Sequence, residues 1–186
     1  MALVHQLQTP RLRLRQWKEK DLEPFATLNA DEAVMEFFPS VLGQDESKEA
    51  ASKYQKKLEE NGWGFWVMEK LSDGAFMGLV GLNRVDDLPI DDCVEVGWRL
   101  AKEYWGSGYA TEAARACLEF AFTTLNLEEV VAITTVNNIR SQAVMERLGM
   151  HDAGKNFDHP KVAAATGLRE HVVYKICRER FQKTTN

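Results

Sequence analysis

Between residues 94 and 125 the hydrophobic period changes from about two to about 3.6 residues across a pair of glycines, which reads as a strand, a loop and a helix, the loop being either a plain tight turn or an anion site. Val94-Glu95-Val96-Gly97-Trp98-Arg99-Leu100 alternates cleanly. Val94, Val96, Trp98 and Leu100 share one face and Glu95, Gly97 and Arg99 the other, which predicts a strand. From Ala110 the apolar positions are 110, 113, 114, 117, 118, 121, 122 and 125, which predicts a helix running to Leu125. The connection contains Trp105-Gly106-Ser107-Gly108-Tyr109. The first N–H groups of a helix lack internal partners, and the helix dipole adds positive potential there. Gly106 and Gly108 let backbone approach a ligand closely, so Gly106 to Thr111 can cradle a phosphate or pyrophosphate. The loop is not the GxxxxGK[ST] of a P-loop, and Thr111 stands where GxGxxG needs its third glycine.

The flanking pattern mixes strands and helices without repeats, linkers or low-complexity tracts. Leu12 and Leu14 alternate with Arg11, Arg13 and Arg15, predicting a strand whose arginines form a solvated face or guard an edge. Helices are expected at Asp21 to Ala30 and Glu46 to Glu60, the second ended by Asn61-Gly62. Trp63 to Lys70 and Ala75 to Asn83 read as strands joined by a turn at Ser72-Asp73-Gly74. Asp86 to Asp92 packs four Asp into seven positions, either a solvated turn or a rim that attracts cations, without the spacing of a calcium loop. Val130 to Val136 predicts a strand, Asn138 to Leu148 a helix stopped by Gly149, and His151 to Phe157 and His171 to Ile176 two last strands.

At 186 residues the chain fits a single domain, residues 1–186, on a scale of about 150 residues per domain. A net charge of −5 argues against a nucleic-acid partner. No apolar run is long enough for a membrane span and Met1 to Arg15 has no secretory signal, so a cytoplasmic protein is expected. Cys93, Cys117 and Cys177 are odd in number and widely spaced, which disfavours a disulfide framework or metal site; Cys117 and Cys177 read as core residues. Tyr174 likewise reads as core, and His171 as a surface residue or a titrating group in a pocket.

Several segments together resemble a known family. The loop from Trp105 to Ala110, followed by Thr111-Glu112-Ala113, resembles the acetyl-CoA pyrophosphate loop of the GNAT superfamily of N-acetyltransferases, usually [Gln/Arg]xxGx[Gly/Ala]. Trp105 at the first position is a departure shared by the branch of ribosomal-protein N-terminal acetyltransferases. Asn138-Ile139-Arg140-Ser141 and Val144 to Met150 resemble that branch's NxxS…LG[Phe/Met] segment. Thr9 to Arg15 is similar to its first strand, and Phe37-Phe38-Pro39 to the turn that follows. The resemblance implies an α+β fold of three layers. Its central, mostly antiparallel sheet would have about seven strands, splayed at the fourth and fifth, with about four flanking helices.

It further implies transfer of an acetyl group from acetyl-CoA to a primary amine, in a ternary complex without a covalent acetyl-enzyme and without a metal. That chemistry needs a base for the amine proton, a donor for the oxyanion and a proton for the leaving thiolate. Glu95 is the candidate base, with an ion pair to Arg99 as the alternative. Gly97 in mid-strand suggests a β-bulge, or else close packing against an aromatic. By resemblance, backbone from Val96 through Gly97, Trp98 and Arg99 to Leu100 holds the pantetheine, with an N–H near Val96 or Gly97 serving the oxyanion. Trp105, Gly106, Ser107, Gly108, Tyr109, Ala110 and Thr111 hold the pyrophosphate. Asn138 caps a helix and contacts the cofactor. Many superfamily members carry a Tyr acid where this chain has Met145, which leaves Ser141 as the candidate proton donor and cofactor contact. The same departure keeps a non-catalytic acyl-CoA sensor as the alternative. The acceptor is either a protein N-terminus or a small cationic molecule, and the chain either a monomer or a homodimer.

Overall fold

Alternating and helical segments resolve into nine strands and five helices in the computed structural model, which describes residues 2–185. The strands are β1 (Leu7–Gln8), β2 (Leu12–Arg15), β3 (Phe65–Lys70), β4 (Phe76–Val85), β5 (Cys93–Leu100), β6 (Glu129–Thr135), β7 (His151–Asp152), β8 (Phe157–Asp158) and β9 (Glu170–Cys177). The helices are α1 (Leu22–Ala30), α2 (Gln44–Asn61), α3 (Tyr109–Thr123), α4 (Ile139–Arg147) and α5 (Arg178–Thr185). One sheet runs in the order β1-β2-β3-β4-β5-β6-β9-β7, with β8 also paired to β9. Every pairing is antiparallel except β5 with β6, which is parallel and registers at one point, Glu95 opposite Val131. Leaving aside the two-residue β1, these are the fourth and fifth strands, where the splay is expected.

The helical stripe of α3 buries as its spacing dictates. Ala113, Ala114, Cys117, Leu118 and Ala121 are fully enclosed, and the small residues let α3 lie close on β4 and β5. Burial pushes the Cys117 thiol far up, so it stays a protonated core group. Helices α1 and α2 cover the other face of β3 and β4. Helix α2 begins at Gln44, two residues earlier than expected, because the Glu46 carboxylate accepts from the Gly43 N–H at 2.8 Å and caps the end. Gly62 ends it with φ of +79°, a conformation that suits glycine.

Two local expectations change, and one helix is found that the sequence did not announce. His151 to Phe157 is not one strand: Asp152 accepts from the Gly154 N–H at 2.8 Å, and this turn separates β7 from β8. The polar helix α5 carries one buried anchor, Phe181, whose ring lies 5.3 Å from that of Phe122, too little apolar signal to be read from sequence. And the arginines of β2 do not form one solvated face: Arg13 keeps 40% of its side chain exposed, whereas Arg15 turns inward. Strand β2 lies inside the sheet, and Arg15 is 3% exposed. Its guanidinium forks onto Asp21 at 2.7 and 2.9 Å and onto Glu69 at 2.7 Å.

This buried triad ties β2 and β3 to the turn that starts α1. Burial alone would raise the Glu69 carboxyl, but the hydrogen bond and charge of Arg15 outweigh it and hold the group below its ordinary value of 4.5. A depressed carboxyl contributes stability above its unfolded pKa and loses it as pH falls through the folded one. The thermal midpoint is therefore expected to stay level above about pH 5 and to drop below about pH 4. Glu69→Gln, which leaves the buried Arg15 with Asp21 as its remaining carboxylate partner, is expected to cost about 1–3 kcal/mol at neutral pH in denaturant titration and to flatten the acid limb.

Candidate functional site

The site starts where the sheet stops. Beyond the Glu95–Val131 pair, residues Val96–Leu100 keep β4 on one side and have no strand partner on the other among the described residues. Main-chain groups along that open edge can receive an extended chain carrying amides. The Leu100 carbonyl accepts from the Trp105 indole N–H at 2.9 Å, which closes one end of the opening.

Next comes the glycine loop. Gly106 and Gly108 have φ of +73° and +79°, and a Cβ at Gly106 would meet nothing within 4 Å. Glycine is required there by the backbone angle rather than by crowding. Gly108 caps α3, and the Glu112 N–H bonds to its carbonyl at 3.0 Å. The amides of residues 106–111 find no partner among the described residues, so the head of α3 is a set of converging donors. Glu112 would spoil this potential if unpaired. Its carboxylate instead takes the Arg11 Nε at 2.6 Å and the Thr9 hydroxyl at 2.5 Å. Burial tends to raise the Glu112 carboxyl, and these bonds outweigh it, keeping it below the usual range. Arg11 also donates to the Ser107 carbonyl at 3.0 Å and lies 4.2 Å from the Tyr109 ring centre, so the loop is braced from behind.

Helix α4 closes the third side. Asn138 accepts from the Ser141 N–H at 3.1 Å and donates to the Thr134 hydroxyl at 3.0 Å, a capping role as expected. The Ser141 hydroxyl has no hydrogen bond among the described residues, whereas Met145 is buried in the core. Strand edge, loop and helix enclose a cavity of about 680 Å³. Of the expected cofactor residues, Trp98, Arg99, Leu100, Trp105, Gly106, Gly108, Tyr109, Ala110, Thr111, Asn138 and Ser141 line it. Val96, Gly97 and Ser107 do not: the Val96 side chain is in the core. The bulge at Gly97 is absent, because β4 and β5 stay in regular register through Gly81 opposite Gly97. A Cβ at Gly97 would stand 3.2 Å from the Phe65 ring, so the glycine serves close packing.

Glu95 lies outside the cavity lining, beside the point where β5 and β6 part. It does not pair with Arg99. Asn83 Nδ2 donates to it at 3.2 Å, and Lys57 in turn donates to Asn83 at 2.8 Å. Burial raises its pKa above the carboxylate range, more than the Asn83 bond lowers it. A carboxylate so placed is a better base than one in water. His171 is half-buried on β9 with its ring 4.9 Å from His159, and burial lowers its pKa.

Sequence reading missed the lid of the cavity. Ala33, Val34, Phe37 and Phe38, on the connection between α1 and α2, line it. Arg140 of α4 lies 4.6 Å from the Trp105 ring centre and 5.7 Å from that of Phe37, and pairs with Glu36. Two adjacent aromatics outside any periodic pattern, and the likeness of Phe37-Phe38-Pro39 to a turn of the family, were the signal.

Known proteins share this arrangement. The family model of the Acetyltransferase (GNAT) domain matches residues 11–151. YkkB of Bacillus subtilis (strain 168) is 30% identical over 148 residues, 78% of this chain and 84% of that one. The solved structure of spermidine N-acetyltransferase from Vibrio cholerae, in complex with CoA and spermine, superposes with a TM-score of 0.73 at 23% identity, covering 94% of this chain and 99% of that one. Ribosomal-protein-S5-alanine acetyltransferase from Vibrio fischeri superposes with the same TM-score of 0.73 at 16% identity, covering 94% and 97%. The glycine loop, the parted strands and the extent of the family match lead to one conclusion: the chain belongs to the GNAT family of acetyltransferases.

Proposed function

We propose that this protein, as one domain over residues 1–186, moves an acetyl group from acetyl-CoA to a primary amine by direct attack. The observation that carries the reading is the set of unpaired amides at the head of α3, opening into the same cavity as the unpaired edge of β5. Donors of this kind suit a pyrophosphate, and the edge suits the amides of a pantetheine arm, so the residues present fit acetyl-CoA. That co-substrate supplies an acyl group activated as a thioester. The amides of residues 106–111 would hold its phosphates, and Val96–Leu100 would orient its arm. An N–H near Val96 or Gly97 would face the developing oxyanion. Glu95 would take the proton of the attacking amine, directly or through a water, and the Ser141 hydroxyl would hydrogen-bond the departing sulfur. The transfer would proceed without a covalent acyl-enzyme.

The acceptor is a protein N-terminus or a small amine. Relatives of both kinds share this fold to the same degree, so fold similarity does not separate them. A cytoplasmic setting without membrane or nucleic-acid partners belongs to the same reading; among the described residues no helix is long and apolar enough to cross a membrane. The buried Met145, which offers no proton, is what favours the second reading, an acyl-CoA sensor without turnover.

Thiol release from acetyl-CoA with a panel of amines and N-terminal peptides decides between the two. CoA-dependent thermal stabilisation with no acetylation of any amine would establish the sensor. Gly108→Glu, which puts a strained backbone and a negative charge at the head of α3, is expected to weaken CoA binding about tenfold or more by calorimetry. An unchanged affinity would remove the loop from the site. Glu95→Gln is expected to lower kcat about 100-fold or more. The wild-type acid limb in kcat/KM should lie above the ordinary carboxylate range, because Glu95 must be ionised to act, and the variant should lose that limb. Ser141→Ala should lower kcat more than it raises KM for acetyl-CoA. Equal effects on both would leave Ser141 a binding residue.

A further inference from the structure

The buried Arg15 has two carboxylate partners. Arg99, half-buried at the cavity wall, has none among the described residues. Its Nη1 donates to Asn29 Oδ1 at 2.6 Å, and its guanidinium carbon lies 4.1 Å from the Phe38 ring centre, but neither partner is an anion. Its Nε is closed off from solvent without an acceptor. Asn29 is itself fixed, fully buried and donating to the Ser47 hydroxyl at 3.1 Å, so the guanidinium is held in one orientation. Burial lowers the Arg99 pKa, and no neighbouring carboxylate opposes it. A desolvated cation without a counter-ion is costly, and here it lines the cavity rather than the core.

Its position narrows what could pair with it. The side chain reaches α1, away from the head of α3, where phosphates would bind. It shares its strand face with Glu95. We propose that Arg99 anchors a carboxylate of the acceptor, which makes the acceptor a primary amine that also carries a carboxylate. This deepens the acetyl-transfer reading and rests on it. The planar fork of the guanidinium matches a carboxylate in two hydrogen bonds. Arg99 follows Glu95 by four positions of extended strand, about 13 Å between Cα atoms, and the Phe65 ring covers Gly97 between them. The amine and the carboxylate are therefore several bonds apart, as in an ω-amino acid or in a peptide with an acidic residue near its N-terminus. An α-amino acid is too short.

The test uses acceptors matched except for charge: 6-aminohexanoate against its amide, and peptides beginning Ala-Glu against Ala-Gln. With the wild-type protein and acetyl-CoA, the carboxylate member of at least one pair is expected to win by about tenfold or more in kcat/KM. Which pair shows it identifies the source of the carboxylate. Arg99→Gln should abolish that preference, Arg99→Lys should retain part of it, and KM for acetyl-CoA should change much less in both. Asn29→Asp, which supplies a carboxylate beside Arg99, should also erase the preference and serves if Arg99→Gln does not fold. Equal rates within both wild-type pairs, or an effect of Arg99→Gln confined to acetyl-CoA, would overturn the anchor while leaving acetyl transfer intact. CoA binding without thiol release from any acceptor would overturn the transfer reading, and the anchor with it.

Discussion

The parting of β5 and β6 is the constraint on which the rest of the site depends. Every other pairing in the sheet is antiparallel, and this one registers at a single pair of residues. A parallel neighbour cannot be reached by a hairpin, so the chain crosses over through α3. That crossover places the glycine loop at the C-terminal end of β5, while α4 begins just beyond the C-terminal end of β6. Two helix heads thus face one opening whose wall is unpaired main chain. The donors come from backbone geometry and need no cluster of cationic side chains.

How much of this was legible follows from the range of the interactions involved. The strand, loop and helix from Val94 onward were readable because period and glycine placement are local. The same holds for Asn138, whose cap bond spans three residues. Gly97 was ambiguous because a glycine in a strand signals either a bulge or a close neighbour, and the neighbour, Phe65, is 32 positions away in the chain. Arg15 was misread for the same reason: alternation places it on a polar face, but Glu69, 54 residues on, makes that face an interior one. The aromatic lid and α5 lay beyond reach because their apolar content is too sparse to show a period.

Charge shows the same separation of scales. The chain carries −5 overall, yet Arg99, Arg140 and Arg147 all line the cavity. Net charge describes solubility and long-range attraction, whereas a desolvated pocket responds to the few groups inside it. Three ionisable groups, Arg15 buried and Glu95 and Arg99 half-buried, illustrate three outcomes. Arg15 is neutralised by two carboxylates, Glu95 is shifted toward its neutral form, and Arg99 stays charged against an aromatic ring and an amide.

The brace behind the glycine loop has a consequence for how the chain is made. Arg11 and Glu112 are 101 residues apart, and Thr9 and Glu112 are 103 apart. Strand β2 leaves the ribosome early and must wait for α3 before the loop can be tensioned. Asn138 and Ser141 arrive later still. A nascent chain that stops short of α4 can form the brace but lacks the second helix head. The two helix heads that face the opening are therefore assembled in sequence, the one at α3 first and the one at α4 only after the crossover and β6 have been made.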